Sequence, residues 1–361
     1  MERPVFKPVG TPVEELDTPA LVVDLDALNH NLETVHGGFA DVAPTLRPDM
    51  SAHLCPAVAS RQLASGGTVG GVAVSTVGEA KVFAQEGVGD ILIANLLVTD
   101  AKIQAACGLA AMSDLTVLVE RQDIIARFSE AATSRGVSLR LLIQVSTSDD
   151  QPGVDSSEKA ATLATSVSAA DGLRFGGLFA RAGGGPNSGS SALTAIKAMR
   201  QAVAQAGIDV DTVCLAGTHD LVSDDDTDVV TEVVAGVYAL MDHNHGSLHP
   251  DLKHAARLLT TVITHPEPDL AWLDTGQKAA SVDTGLPAID GVPGAMLTRM
   301  SAEHGGVALE GDARSEFEIG DKIWLIPADI ANCANLYDYI YAAQDGKLAA
   351  VWEVAARGRY R

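Results

Sequence analysis

Short apolar segments alternate with alanine-rich segments of helical period through the first two thirds of the chain. Eight apolar segments are continuously hydrophobic, which is typical of strands buried on both faces of a parallel sheet. Eight strand–helix units within about 230 residues predict an α/β fold, a (β/α)8 TIM barrel, with a doubly wound open sheet as the alternative. The predicted strands are 21–28, 45–51, 69–76, 90–97, 114–121, 140–147, 174–181 and 211–218.

Helices are predicted between these strands, at 77–86, 122–135, 157–170 and 191–206. Three of them are followed by Gly87, Gly136 and Gly207. A left-handed residue at the end of a helix favours glycine, so these positions predict where the helices end.

The pattern changes near residue 257, where short strands separated by turn residues replace the strand–helix alternation. This change predicts three parts: an arm over 1–20 that packs on a β-domain, a barrel over 21–256, and that β-domain over 257–361. The predicted strands of the β-domain are 258–263, 271–274, 295–301, 306–310, 322–326, 339–343 and 351–355.

Charge excludes some classes of partner. There are 47 acidic and 25 basic residues, a net charge of −22, so a general surface that binds nucleic acid or an anionic membrane is excluded. No apolar run approaches the ~18 residues that span a bilayer, and no export signal is visible. The four cysteines are scattered, which favours free thiols in a reducing cytoplasm.

Candidate functional residues follow from the barrel rule that active sites lie at the carboxyl ends of the strands. Asp49, Ser51 and His53 lie at or just after the carboxyl end of the second predicted strand, and Gly217 and Thr218 lie at that end of the eighth. A glycine turn after the last strands is the usual phosphate site of a barrel, so Gly217 and Thr218 predict a phosphate or carboxylate site. The alternative is a glycine that only turns the chain.

A second group of candidates lies near the predicted domain boundary. His243 and His245 follow Asp242, and a His-x-His pair beside an aspartate can bind a divalent metal. The alternative is a solvated polar linker. Asp329 lies in a loop of the β-domain and is a further possible metal ligand.

An ordered series of motifs resembles the D-threonine aldolase and D-serine dehydratase family over nearly the whole chain. The longest reads Asp-x-Gly-x-Lys-Ala-x-Ser-x-Asp-x-Gly-Leu-Pro at 274–287. The resemblance implies an alanine-racemase-like barrel followed by a β-domain, pyridoxal phosphate (PLP) bound through a lysine, an assisting divalent metal, and a dimer. The other matching stretches are 16–26, 78–80, 90–95, 303–305, 320–321, 335–338 and 354–359.

The chain departs from the family pattern where the resemblance places the cofactor. The family reads R-P-H-x-K-T-H-K after the second strand, and here Asp49 replaces the first histidine while Ser51 replaces the imine-forming lysine. A serine hydroxyl forms no imine, so covalent PLP is not expected. In the C-terminal metal motif, Asp329 and Ala331 stand at the two ligand positions.

These departures lead to three functional hypotheses. The first is a cytoplasmic, homodimeric lyase, dehydratase or hydrolase that acts on a small amino or hydroxy acid derivative without covalent PLP, by acid–base or metal chemistry. Its catalytic candidates are His53, His219, Asp49 and Ser51, with Asp49 and Asp329 as possible metal ligands. The second is a non-catalytic binding subunit, a pseudoenzyme. The third is a PLP lyase that holds the cofactor non-covalently or through another lysine, such as Lys278.

Overall fold

The computed structural model describes residues 6–40, 44–148, 151–182, 188–217 and 229–361. The chain divides into two compact units. The barrel unit consists of His36–Ser51, Ala59–Gly236 and Gly358–Arg361, and the sheet unit consists of Met1–Val35, Ala52–Val58 and Val237–Arg357.

The strands and helices are numbered separately in chain order. The strands are β1 (Ala20–Asp24), β2 (Thr45–Pro48), β3 (Val72–Val74), β4 (Asp90–Leu96), β5 (Asp114–Val119), β6 (Leu139–Val145), β7 (Leu173–Arg181), β8 (Thr212–Ala216), β9 (Glu232–Ala235), β10 (Ala256–Glu267), β11 (Leu270–Leu273), β12 (Ala288–Ile289), β13 (Ala295–Met300), β14 (Gly305–Leu309), β15 (Lys322–Ile326), β16 (Tyr339–Gln344) and β17 (Lys347–Glu353). The helices are α1 (Leu25–Gly38), α2 (Pro56–Ala64), α3 (Val77–Gln85), α4 (Asp100–Leu109), α5 (Gln122–Arg135), α6 (Ser157–Ala169), α7 (Ser188–Gln205), α8 (His243–Gly246) and α9 (Ile330–Ala334). None of the helices in the described ranges is long and apolar enough to cross a membrane.

The barrel unit is built on one parallel sheet of eight strands, in the order β2-β9-β8-β7-β6-β5-β4-β3. Isolated parallel bridges from Leu46 to Thr68 and from Asp49 to Ala73 connect the two edges, so the barrel is nearly closed. The predicted fold class is confirmed. An apolar core cluster occupies the barrel and consists of Ala73, Leu92, Ala94, Leu118, Leu142, Phe179, Cys214, Ala216 and Val234.

One predicted barrel strand is wrong. The apolar run at 21–28 does not open the barrel, because β1 pairs antiparallel with β10 and parallel with β16 in the other sheet. The eighth place in the barrel belongs to β9, which lies between β2 and β8. A strand in the middle of either sheet is buried on both faces and reads as the same continuous apolar run.

The predicted helix ends agree closely with the structure. Gly87, Gly136 and Gly207 have φ angles of +89°, +64° and +80°, the left-handed conformation expected after a helix. The four predicted helices correspond to α3, α5, α6 and α7, within about one turn of the predicted bounds.

A buried charged group occupies the amino end of the barrel. Arg47 on β2 is only 2% exposed, and its Nε lies 2.8 Å from Glu232 Oε2. Its two terminal nitrogens each lie 3.0 Å from an oxygen of Asp90, the first residue of β4. This guanidinium therefore joins β2, β4 and β9 on the inside of the barrel.

The sheet unit has nine strands, with the path β13-β14-β11-β10-β1-β16-β17 and with β15 and β12 beside β10. The segment before β1 lies along β17, because Val13 N donates to Gly346 O and Leu348 N donates to Thr11 O. This arrangement confirms a C-terminal sheet after the barrel. The predicted domain boundaries, 20/21 and 256/257, stay a prediction.

Candidate active site in the barrel unit

Hydroxyl and carboxyl groups meet at the carboxyl ends of β2 and β3. The Ser51 hydroxyl lies 2.8 Å from the Ser75 hydroxyl and donates to Glu79 Oε2 at 3.2 Å. Ser51 follows β2 and Ser75 directly follows β3, so neighbouring strands bring the two side chains together. These three residues and Asp49 are called the carboxyl cluster below.

Glu79 reaches the cluster because of the way α3 begins. The Thr76 hydroxyl is the N-cap of α3 and accepts a hydrogen bond from Glu79 N at 3.1 Å. The Glu79 carboxylate turns back over the helix start and accepts from Ser75 N at 2.8 Å. Glu79 is only 6% exposed, so it differs from the usual solvated residue of a capping box.

Glu79 was not among the residues predicted for the site, although it lies in the stretch 78–80 that matches the family. The signal that was present is Thr-x-x-Glu at 76–79, a capping box directly after a barrel strand. In a (β/α)8 barrel, such a helix start lies at the carboxyl end of the barrel, where active sites form.

Asp49 is the second carboxyl group of the cluster. Its Oδ1 accepts a hydrogen bond from Ser51 N at 3.0 Å. Burial raises the pKa of Asp49, and the hydrogen bond from Ser51 and the positive charge of Arg181 partly oppose that rise. Burial and the negative charge of Asp49 raise the pKa of Glu79, against the hydrogen bond from Ser75 N. Both carboxyl groups therefore hold a proton more readily than in water.

The residue types at the carboxyl ends of β2 and β3 include hydroxyl and carboxyl groups but no amine. No lysine occurs in the eight barrel strands that the structure describes. At the end of β2, Ser51 offers a hydroxyl group as a nucleophile, and this hydroxyl is hydrogen-bonded to Ser75. The lysines of the barrel unit lie on α3, α4, α6 and α7, and they are Lys81, Lys102, Lys159 and Lys197.

The other residues predicted at the barrel end have different outcomes. His53 is fully buried, and its Nδ1 accepts a hydrogen bond from Cys55 N at 3.1 Å. Gly217 directly follows β8 with φ +150°, and a Cβ there would lie 3.1 Å from Ala182 Cβ. The predicted roles of His53 and Gly217 stay predictions. Thr218 and His219 lie outside the described residues.

The predicted metal ligands of the sheet unit have local hydrogen-bonding roles. Asp242 is fully buried, and its Oδ1 lies 2.7 Å from His245 Nδ1 while its Oδ2 accepts from Ile330 N at 3.0 Å. The hydrogen bond to Asp242 raises the pKa of His245. Asp329 caps α9 by accepting from Asn332 N at 2.9 Å.

Metal binding by these residues stays a prediction. His243 N donates to Pro327 O at 2.9 Å, which fixes the backbone of α8 beside the loop of Asp329. Across 6–40, 44–148, 151–182, 188–217 and 229–361, no three His, Cys, Asp or Glu side chains are grouped to hold a metal ion. Lys278, the alternative PLP lysine, is exposed and pairs with Glu303.

Comparison with known proteins agrees with the fold and with the order of its parts. Residues 23–244 match the family of alanine racemase N-terminal domains, and residues 255–343 match the family of serine dehydratase domains. The fold and the two matches therefore define an alanine-racemase-like barrel protein with a dehydratase-type sheet domain.

Comparison with individual proteins identifies the family within this class. D-threonine aldolase from Arthrobacter sp. is 32% identical over 97% of this chain and 95% of the relative. 3-Hydroxy-D-aspartate aldolase from Paracoccus denitrificans (strain Pd 1222) is 30% identical over 97% of this chain and 94% of the relative. The crystal structure of D-threonine aldolase from Filomicrobium marinum superimposes with a TM-score of 0.93 at 31% identity, covering 98% of this chain and 99% of that one. The chain belongs to the family of these aldolases.

Proposed function

We propose that this protein is a lyase that acts on a small amino or hydroxy acid and forms no imine between PLP and the barrel. The carboxyl cluster is the observation that carries the proposal. Two carboxyl groups with raised pKa values and two hydroxyl groups meet at the end of the barrel. This set of groups can hold, accept and donate protons, and no amine on the barrel strands joins it.

The two carboxyl groups divide the roles of base and acid. Burial raises the pKa of both groups, but the positive charge of Arg181 opposes that rise at Asp49, so we assign Asp49 as the general base. The charge of Asp49 favours the protonated form of Glu79, so Glu79 is the general acid. Neighbouring carboxyls whose environments separate their protonation states are the usual basis for such an assignment.

A dehydration follows from these roles with all atoms accounted for. Asp49 removes the proton from the carbon next to the substrate carboxylate, and Glu79 protonates the β-hydroxyl. The carbon–oxygen bond breaks, a carbon–carbon double bond forms, and water leaves. Asp49 then carries the proton taken from the substrate carbon, and the proton of Glu79 has left in the water molecule. Proton exchange with solvent resets the pair.

The absence of an imine limits which substrates can react. Without PLP the electrons of the broken carbon–hydrogen bond need an acceptor within the substrate, so we expect an acid whose reacting carbon also adjoins a carbonyl group. Arg181 ends β7 at the same end of the barrel and is exposed, with Nη2 bonded to Ala94 O at 3.2 Å. A guanidinium there can bind the substrate carboxylate through two parallel hydrogen bonds.

Spectroscopy and activity together test the proposal. The purified protein is incubated with PLP, reduced with borohydride and analysed by mass spectrometry, and it is assayed without PLP on D-threonine, 3-hydroxy-D-aspartate and β-hydroxy acids that carry a carbonyl. We expect no lysine adduct and PLP-independent release of water from a member of the last group. Glu79→Gln should lower that rate by about 10²–10⁴-fold.

The matched control is Glu158→Gln, which changes an exposed carboxyl on α6 and should leave the rate unchanged. A lysine adduct together with PLP-dependent turnover of D-threonine would contradict the proposal. If Glu79→Gln keeps the full activity of the parent protein, Glu79 has no part in the mechanism.

We also propose that the protein is a homodimer, as the family resemblance implies. Light scattering at micromolar concentration should give twice the chain mass of 37.4 kDa. A single-chain mass would contradict this expectation.

A further inference from the structure

A groove with three basic residues in its lining lies on the barrel unit. It is a cavity of about 620 Å³ between one face of α3 and the segment 358–361. Its volume lies within the range of small-molecule sites. The lining from α3 is Gly78, Lys81, Val82 and Gln85, and the lining from the segment is Gly358, Arg359, Tyr360 and Arg361.

The groove is a built feature, because the segment is fixed against the start of α3. The Thr76 hydroxyl, the N-cap of α3, donates to Arg359 O at 2.5 Å. Gly78 allows the close approach, since a Cβ at this position would overlap the carbonyl oxygens of Arg359 and Arg361. The helix and the segment therefore hold the two walls of the groove together.

Every charged side chain that lines the groove is basic. Lys81, Arg359 and Arg361 all line it, whereas the whole chain carries a net charge of −22. Among the described residues, none of these three side chains forms an ion pair with a carboxylate within 4.0 Å. Three cations close together repel one another unless an anion offsets their charge.

We infer that this groove binds a phosphate-bearing small anion. Guanidinium groups bind phosphate oxygens through paired hydrogen bonds, and an ammonium group adds a point charge. Two arginines of the segment and one lysine of α3 are among the residues that line the groove on its two walls. A diphosphate matches this arrangement, because its charges are spread along its length.

Binding there would act on the start of α3. The Thr76 hydroxyl accepts from Glu79 N and donates to the segment, so it connects the groove to the carboxyl cluster. A bound anion bridges Lys81 to Arg359 and Arg361 and therefore holds the segment against the helix. Thermal stability should rise with anion concentration by mass action.

Calorimetric titration with pyrophosphate tests the inference on the full chain. We expect one pyrophosphate to bind per chain and the Tm to rise at saturation. In 0.5 M salt the affinity should fall by about tenfold or more. Arg359→Ala and Arg361→Ala should each weaken binding by about tenfold. Both side chains are exposed and the bond from Thr76 goes to a backbone oxygen, so these variants should fold.

Lys197→Ala is the matched control, since it removes an exposed cation from α7 outside the groove and should bind as the parent does. The absence of binding at millimolar pyrophosphate would overturn the inference. Unchanged affinity in the Arg359→Ala/Arg361→Ala double variant would also overturn it. Citrate that binds as tightly as pyrophosphate would refute phosphate as the recognised group. Because none of these readouts uses turnover, they stand apart from the proposed lyase activity.

Discussion

The carboxylates at the two ends of the barrel have different hydrogen-bonding partners. At the amino end, Glu232 and Asp90 share the guanidinium of Arg47 at 2.8–3.0 Å. At the carboxyl end, Asp49 and Glu79 accept hydrogen bonds from neutral hydroxyl and amide donors, and the charge of Arg181 acts on Asp49.

The pKa values of the groups at the two ends differ for the same reason. Burial alone would lower the pKa of Arg47, but the charges and hydrogen bonds of Glu232 and Asp90 outweigh it and raise that pKa. Burial raises the pKa values of Asp49 and Glu79. Charges that are matched by partners hold a fold together, whereas carboxyl groups that lack a buried cation remain available for proton transfer.

The largest effect should come from breaking the amino-end group. Arg47→Met leaves Glu232 buried without its cation, so the free energy of unfolding should fall by about 3–5 kcal/mol. Urea unfolding measures it. Arg174→Met breaks the exposed pair with Asp114 and should cost less than about 1 kcal/mol. Equal losses in the two variants would mean that burial does not distinguish these ion pairs.

A smaller, pH-dependent effect should come from the carboxyl end. The folded protein keeps the Glu79 proton above the ordinary pKa of 4.5, whereas the unfolded chain releases it. The free energy of unfolding should therefore fall as the pH rises from 4.5 through the raised pKa, and the contribution is fully present only below 4.5. Glu79→Gln should flatten this part of the profile, since glutamine still caps the helix.

Unfolding in urea at several pH values, with Glu158→Gln as the exposed control, measures this slope. A parent protein whose stability rises over the same pH range would show that Glu79 is held ionised. The two ends of the barrel would then differ in geometry but not in protonation.

The smallest effect should come from restoring a lysine at the end of β2. Ser51→Lys places an ammonium beside Asp49 and Glu79, which should pair with it and keep it protonated and unreactive towards an aldehyde. We expect a folded protein, no borohydride-trapped adduct with PLP, and no aldolase or dehydratase activity on D-threonine or D-serine with added PLP and manganese or zinc. Aldehyde or ammonia release from this variant would show that only the lysine was missing.

The sequence predicted the barrel and its helices because local signals determine them. Gly136 ends α5 with a left-handed conformation that few other residues adopt, and its position alone marks the boundary. The placement of β1 could not be predicted, because a strand buried on both faces carries no information about which sheet it joins.

The site was predicted only in part for a similar reason. Asp49 and Ser51 follow directly from the strand-end rule. Glu79 belongs to a capping box, and that pattern predicts that its carboxylate accepts a hydrogen bond from the backbone at the helix start. The pattern does not predict that this carboxylate is buried. Whether a side chain at a helix start faces solvent or the barrel depends on packing that is distant in sequence.

The position of β1 also affects how this chain is made on the ribosome. Residues of β1 pair with partners at 256–259 and 341–343, while every barrel strand lies between Thr45 and Ala235. At ordinary rates of translation, β1 waits roughly 15–60 s for its last partner to emerge. During synthesis the first strand therefore has two open edges, which is the condition under which strands pair with other nascent chains. Slower synthesis should lengthen that exposure, and a nascent chain stalled before Tyr339 should keep open the edge of β1 that pairs with β16.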